Sequence, residues 1–232
     1  MSSSASTARW WPRALVFDLD GTIVDTEVPS FEAWRRIWAD RGQTLDLADW
    51  VLCVGRSWDL FDPLAALDDL LGGGLDREAV RAEKRALEHE LVRTTVVRPG
   101  VVEWLDEAAA GGAAIGLASS SPRVWVDGHL ERLGLRERFA TVQTVTEVGV
   151  TKPDPASYLA ACAALEVNPA DALAIEDSVN GIDAAMAAGM RVVACPNPIT
   201  AALDLSAADL VVDSLADLTL AAATARMARM AR

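Results

Sequence analysis

The chain reads as an α/β protein: a Rossmann-like parallel sheet with helices on both faces, interrupted by an inserted all-helical segment. Three observations predict this. From residue 97 onward, short β-rich apolar runs alternate with helical patterns, as in successive βαβ units. One further apolar run, Ala14 to Phe17, stands far upstream and joins that sheet from a distance. The stretch between them, residues 25–96, has helical spacing and no strong strand signal.

Taken in order, Ala14 to Phe17 is the first strand, ending at Asp18-Leu19-Asp20-Gly21-Thr22. In the insertion, Ser30 to Asp40 places Phe31, Trp34, Ile37 and Trp38 at helical spacing, so both tryptophans are expected in a core. Leu60 to Leu71 and Arg77 to Val92 also read as helices, with Gly72-Gly73-Gly74 as the turn between them. Pro99-Gly100 marks the return to the sheet. Expected strands then follow at Ala113 to Ala118, Thr141 to Val145, Ala172 to Glu176, Arg191 to Ala194 and Asp209 to Val212. Expected helices are Val101 to Ala110, Pro122 to Leu133, Pro155 to Leu165 and Val179 to Ala188. This divides the chain into a core of residues 10–24 and 97–225, a helical insertion of residues 25–96, and a disordered tail of residues 1–9.

Composition narrows the function. With 232 residues and 51% hydrophobic content, the chain can bury a sizeable core. Its net charge of -13 argues against nonspecific nucleic-acid binding, which needs a basic footprint. The Ser/Thr/Ala-rich start lacks the apolar stretch of a secretory signal, and no apolar run is long enough to span a membrane. Cys53, Cys162 and Cys195 have no metal-ligand spacing; Cys162 and Cys195 read as small core residues. A cytoplasmic monomer is the expectation.

The chemistry gathers where strands end, the place where open α/β sheets bind ligands. Asp18 and Asp20 project from one face of an extended segment, and two such charges call for a cation or a shared proton. Ser119-Ser120-Ser121 precedes a helix that Pro122 opens. Alone, one serine there would simply cap the helix. Beside Asp18, its hydroxyls and amides suit a phosphate instead. Lys152 lies between prolines in Thr151-Lys152-Pro153-Asp154-Pro155, which limits where its ammonium can go, although a lone lysine is ordinarily a solvated charge. Glu176 and Asp177, at the end of another strand, either cap the next helix or join Asp18 and Asp20 in a set of hard oxygen ligands suited to Mg²⁺.

DxDGT, the serine motif, Lys-Pro and Glu-Asp occur in this order and at these strand ends in the haloacid dehalogenase superfamily, which the chain resembles from residue 18 to 177. The sequence EDSVNGIDAAMAAGM at 176–190 is most similar to the subgroup of β-phosphoglucomutase and the phosphoglycolate and sugar-phosphate phosphatases. The resemblance makes residues 25–96 a C1 cap. It implies Asp18 as a nucleophile that forms an aspartyl-phosphate, and Asp20 as the acid, then the base. It also implies Mg²⁺ held by Asp18, the backbone carbonyl of Asp20, and Asp177, with Glu176 behind them. Ser119, the amide of Ser120, and Lys152 would grip the phosphoryl oxygens. Haloacid dehalogenases lack the second aspartate, so Asp20 argues against dehalogenation.

Specificity is expected from the cap, where Val54-Gly55-Arg56-Ser57 resembles the loop that descends over the site in this subgroup. Gly55 and Arg56 are its substrate candidates; a plain surface arginine is the alternative for Arg56. Trp50 and Trp58 flank the loop and read as cap packing. His89 and His129 are expected to be exposed on helices, without a role. Ser30 stands where the β-phosphoglucomutase pattern has a histidine that protects the phospho-enzyme from water, a departure that leans toward hydrolysis. The leading expectation is therefore a Mg²⁺-dependent phosphatase of a small phosphorylated metabolite, a sugar or polyol phosphate. A hexose-phosphate mutase is the alternative, and a non-catalytic binding protein the third reading.

Overall fold

The computed structural model describes residues 10–52, 54 and 61–230. The expected tail of residues 1–9, and Cys53, Gly55, Arg56 and Trp58, lie outside the described residues. The elements run β1 (Ala14–Phe17), α1 (Glu27–Ala39), α2 (Leu47–Trp50), α3 (Pro63–Leu70), α4 (Arg77–Val92), α5 (Val101–Ala110) and β2 (Ala114–Ala118). They continue α6 (Arg123–Arg132), β3 (Thr141–Gln143), α7 (Val145–Val148), α8 (Ala156–Ala164) and β4 (Ala172–Glu176). Last come α9 (Val179–Ala187), β5 (Arg191–Ala194), β6 (Leu210–Val211) and α10 (Leu220–Met230).

The six strands form one parallel sheet in the order β3-β2-β1-β4-β5-β6. A parallel sheet of this kind is covered on both faces, so its central strands are largely apolar. All four residues of β1 are buried, and they alternate between two cores. Leu15 and Phe17 face Trp104 and Leu105 of α5, Leu130 of α6 and Met227 of α10. Ala14 and Val16 face Tyr158 and Cys162 of α8 and Ile182 of α9. Chain order reverses at β1, which lies between β2 and β4, so a cleft opens beyond its carboxyl end.

The segment between β1 and α5 builds a further apolar cluster, which Ile199 from beyond β5 joins. Trp34, Ile37 and Trp38 of α1, Trp50 of α2, Leu64 and Leu67 of α3, and Val80 of α4 pack together. The helix starts are set by aspartates. Asp62 accepts from the Leu64 and Ala65 amides at the head of α3, and Asp76 from Glu78 and Ala79 at the head of α4. Each satisfies donors that a helix N-terminus leaves unpaired. The chain re-enters the sheet region where the Arg98 amide donates to Ile23 O at 2.8 Å. The Arg98 guanidinium donates to the carbonyls of Gly21, Cys195 and Pro196, tying the loop after β1 to the end of β5.

Five elements depart most from the expectation. The third strand stops at Gln143, because the Thr144 hydroxyl and the Glu147 carboxylate form a capping box that turns Val145–Val148 into a helical turn. The last strand shortens to Leu210–Val211. With α7, two further helices, α2 and α10, add to those expected. Among the described residues, no helix is long and apolar enough to cross a membrane.

Trp104 joins both ends of the chain's core. It is 1% exposed, and its Nε1 donates to Leu215 O and Leu218 O, each at 3.0 Å. Trp104→Ala is expected to lower unfolding free energy by about 3–5 kcal/mol, through a cavity and two carbonyls left without their donor. Urea denaturation of the full chain measures this; a loss below about 1 kcal/mol would show that the contact matters little.

Candidate active site

Asp18 continues the β1 ladder, its amide donating to Ile175 O at 3.0 Å, and so its carboxylate emerges beside the end of β4. The chain then turns tightly at Gly21, whose φ is +82°. A Cβ there would strike the Asp177 carboxylate and the Asn197 amide, so only glycine lets this turn approach β4. At the head of α1, Asp25 accepts from the Glu27 and Val28 amides. Thr26 is thereby set to donate to Asp20 Oδ1 at 2.9 Å.

Lys152 arrives on the loop after α7, through a cis Lys152-Pro153 bond. Its Nζ donates to Asp18 Oδ1 at 2.5 Å, Glu176 Oε1 at 2.6 Å and Ala118 O at 2.9 Å. Burial alone would favour the neutral amine, but the Asp18 and Glu176 charges outweigh it and hold the ammonium above its ordinary pKa. Glu176 is wholly buried and fully engaged. Oε1 also accepts from Tyr158 at 2.7 Å, and Oε2 accepts from the Asp177 amide and the Ser178 hydroxyl. Gly181 makes room for it, since a Cβ there would overlap the Glu176 carboxylate.

Asp177 is steered by Asn197, which donates Nδ2 to Oδ2 at 2.7 Å, and by Thr22 at 3.3 Å. Oxygens of Asp18, Glu176 and Asp177 lie within 4.8 Å of one another. Burial pushes the carboxyls of Asp18 and Asp177 well above the usual range; Lys152 opposes this for Asp18, and neighbouring carboxylates add to it for both. A single ammonium among these carboxylates leaves a surplus of negative charge. Hard oxygen donors with such a surplus fit a small divalent cation.

Asp20 is held apart from this cluster. Its Oδ2 accepts from Ser121 at 2.6 Å, and its Oδ1 from Thr26 and from Trp125 Nε1 at 2.8 Å. Ser119 Oγ is buried and accepts from the Ser121 amide at 2.9 Å, whereas Ser120 and Ser121 line the cavity. Ser120 Oγ in turn accepts from the Lys152 amide at 3.0 Å. The structure thus brings Asp18, Asp20, Ser119, Ser120, Lys152, Glu176 and Asp177 to adjoining ends of β2, β1 and β4, while Gly55 and Arg56 fall outside the described residues.

A cavity of about 1430 Å³ opens over these groups. Its opposite wall comes from the helical segment, including Ser30, Trp50, Arg85 and His89. Glu27, half-buried in this cavity, has its carboxyl pushed up to about 8 by burial and by the Asp20 charge. His129 corrects the expectation of an exposed helix position. It is buried, because α6 turns it and Trp125 toward the cavity at i, i+4 spacing, with ring centroids 4.4 Å apart. His89 is exposed, and its ring lies 5.5 Å from that of Trp125. The contact of Ser121 with Asp20, and any role for Thr26, Trp125 and Asn197, were not anticipated from the sequence. Ser121 belongs to the serine motif, whereas Thr26, Trp125 and Asn197 carry no local signal for these contacts.

A family model described as haloacid dehalogenase-like hydrolase matches residues 12–189. A Bacillus subtilis protein named "Putative phosphatase YhcW" is 39% identical over 209 residues, covering 90% of this chain and 94% of that protein. Beta-phosphoglucomutase of the same organism is 33% identical, covering 90% and 92%. The crystal structure of CbbY from Rhodobacter sphaeroides in complex with phosphate superposes with a TM-score of 0.72 at 27% identity, covering 91% of this chain and 98% of that one. With the aspartate pair, the lysine and the paired acids arranged at neighbouring strand ends, the chain belongs to the haloacid dehalogenase-like hydrolase family.

Proposed function

We propose that the protein is a Mg²⁺-dependent phosphatase of a small phosphorylated metabolite, a sugar or polyol phosphate, acting through an aspartyl-phosphate on Asp18. The observation that carries this is the division of labour within one motif. Asp18 is buried on Lys152, while Asp20, two residues on, is gripped separately by Thr26, Ser121 and Trp125. A nucleophile and a proton donor need such different environments. The similarity to a phosphatase, to a phosphoglucomutase and to a phosphate-bound structure supports the same chemistry.

In the first step an Asp18 oxygen bonds to phosphorus as the bond to the leaving oxygen breaks, and Asp20 gives that oxygen its proton. In the second, Asp20 takes a proton from water, whose oxygen bonds to phosphorus and frees the Asp18 carboxylate together with inorganic phosphate. Lys152 and the Ser120 amide bind phosphoryl oxygens. Glu176, saturated by its own partners, holds Lys152 in place. Asp18, Asp177 and the Asp20 carbonyl are the groups that would hold Mg²⁺, whose charge offsets repulsion between these carboxylates and the phosphate when bound. The helical segment of residues 25–96 acts as the cap that covers the site and excludes water. Ser30, facing the cavity where the mutase pattern has histidine, supports transfer to water.

Two outcomes follow. A panel of hexose, pentose and hexitol phosphates with Mg²⁺ should release inorganic phosphate, and Asp18→Asn should reduce this to background. Full activity in that variant would remove Asp18 from its role, and stoichiometric isomerisation of β-glucose 1-phosphate without free phosphate would replace hydrolysis by mutase chemistry. Treatment with EDTA should abolish activity and added Mg²⁺ restore it; turnover that persists in excess chelator would contradict the cation requirement.

A further inference from the structure

We propose that Trp125 is a positioning residue for Asp20, fixing which carboxyl oxygen delivers the proton to the leaving group. The inference rests on the reading of Asp20 given above. An indole N–H only donates, whereas a hydroxyl can rotate to donate or accept. Trp125 Nε1, 2.8 Å from Asp20 Oδ1, therefore holds Oδ1 as an acceptor, and Thr26 Oγ1 at 2.9 Å takes up the same oxygen. The transferable proton is left to Oδ2. There the only described partner is Ser121 Oγ at 2.6 Å, a hydroxyl able to turn and accept. As the P–O bond breaks, the Oδ2 proton passes to the departing oxygen and Asp20 is left as carboxylate.

The indole is itself held. Its ring meets His129 edge-on at a centroid distance of 4.4 Å and 66°. His129 is fixed in turn: Arg132 Nη2 lies 3.1 Å from its Nδ1, and a guanidinium has no acceptor, so Nδ1 must accept. Arg132 Nη1 donates to Thr95 O at 2.6 Å, just past α4. On the other side the indole meets His89 of α4 at 5.5 Å and 70°. Trp125 thus links the carboxyl of Asp20 to the helix that walls the cavity.

The test separates proton delivery from general damage. Phenoxide is a far stronger base than p-nitrophenoxide, so phenyl phosphate needs the proton and p-nitrophenyl phosphate scarcely does. The two probes have nearly the same shape. Trp125→Phe keeps a ring and loses the N–H. It should lower kcat/KM for phenyl phosphate at least about tenfold more than for p-nitrophenyl phosphate, with Asp20→Asn showing the same bias more strongly. Should the Phe variant fold poorly, site-specific replacement by benzothienylalanine, which exchanges only N–H for sulfur, makes the same comparison. Equal losses on both probes, or no loss, in the Trp125 variants alongside a biased Asp20→Asn would overturn the role of Trp125 alone. An unbiased Asp20→Asn would overturn the reading of Asp20, and this proposal with it.

Discussion

Asp18 and Glu176 share one ammonium, that of Lys152, with the Asp177 carboxylate beside them, in a space almost closed to solvent. Burying a charge costs several kcal/mol unless partners replace the lost water. Glu176 meets this cost fully, with Lys152, Tyr158, a backbone amide and a serine hydroxyl around it. Asp18 and Asp177 meet it only in part, and burial accordingly raises their pKa values. That shortfall is where function enters. Under the function proposed above, a cation and a phosphate would complete an arrangement that the protein alone leaves out of balance.

The rest of the fold serves this one demand. A parallel sheet places β1 between β2 and β4, so side chains from distant parts of the chain meet at adjoining strand ends. Gly21 and Gly181 let backbone and carboxylate approach where any side chain would collide. Arg98 pins the turn after β1 to the end of β5 just where the helical segment rejoins the sheet. The helical segment contributes a separate apolar cluster and the far wall of the cavity, so the environment of Asp20 includes groups from both sides of that cleft.

Much of this was legible in the sequence, for identifiable reasons. β1, β4, β5, α4 and α5 fall where expected because apolar runs or strong amphipathic spacing meet clear boundaries. α10 escaped because its buried Leu220, Ala223, Thr224 and Met227 are diluted in an alanine-rich stretch with little contrast. α7 escaped because β-branched Val145 and Thr146 suggest strand, while the decisive signal is a capping box four residues long. Within the site, each carboxylate and Lys152 could be named from motif and spacing. The partners that orient them could not. Trp125 reaches Asp20 across 105 residues and Asn197 reaches Asp177 across 20, and such pairings depend on helix rotation rather than on local pattern. His129 shows the same limit, since a polar residue on a helix reads as exposed until its neighbour Trp125 defines a second, inward face.

The central claim is that the buried Asp18 carboxylate, seated on Lys152, accepts the phosphoryl group. Acid quenching of the Mg²⁺-loaded protein during turnover of a ³²P-labelled phosphate ester, followed by peptide mapping, tests it most directly. The account predicts label on the peptide that carries Asp18, lost when the unquenched protein is chased with unlabelled substrate. Turnover without covalent label, or label that maps to another residue, would contradict it.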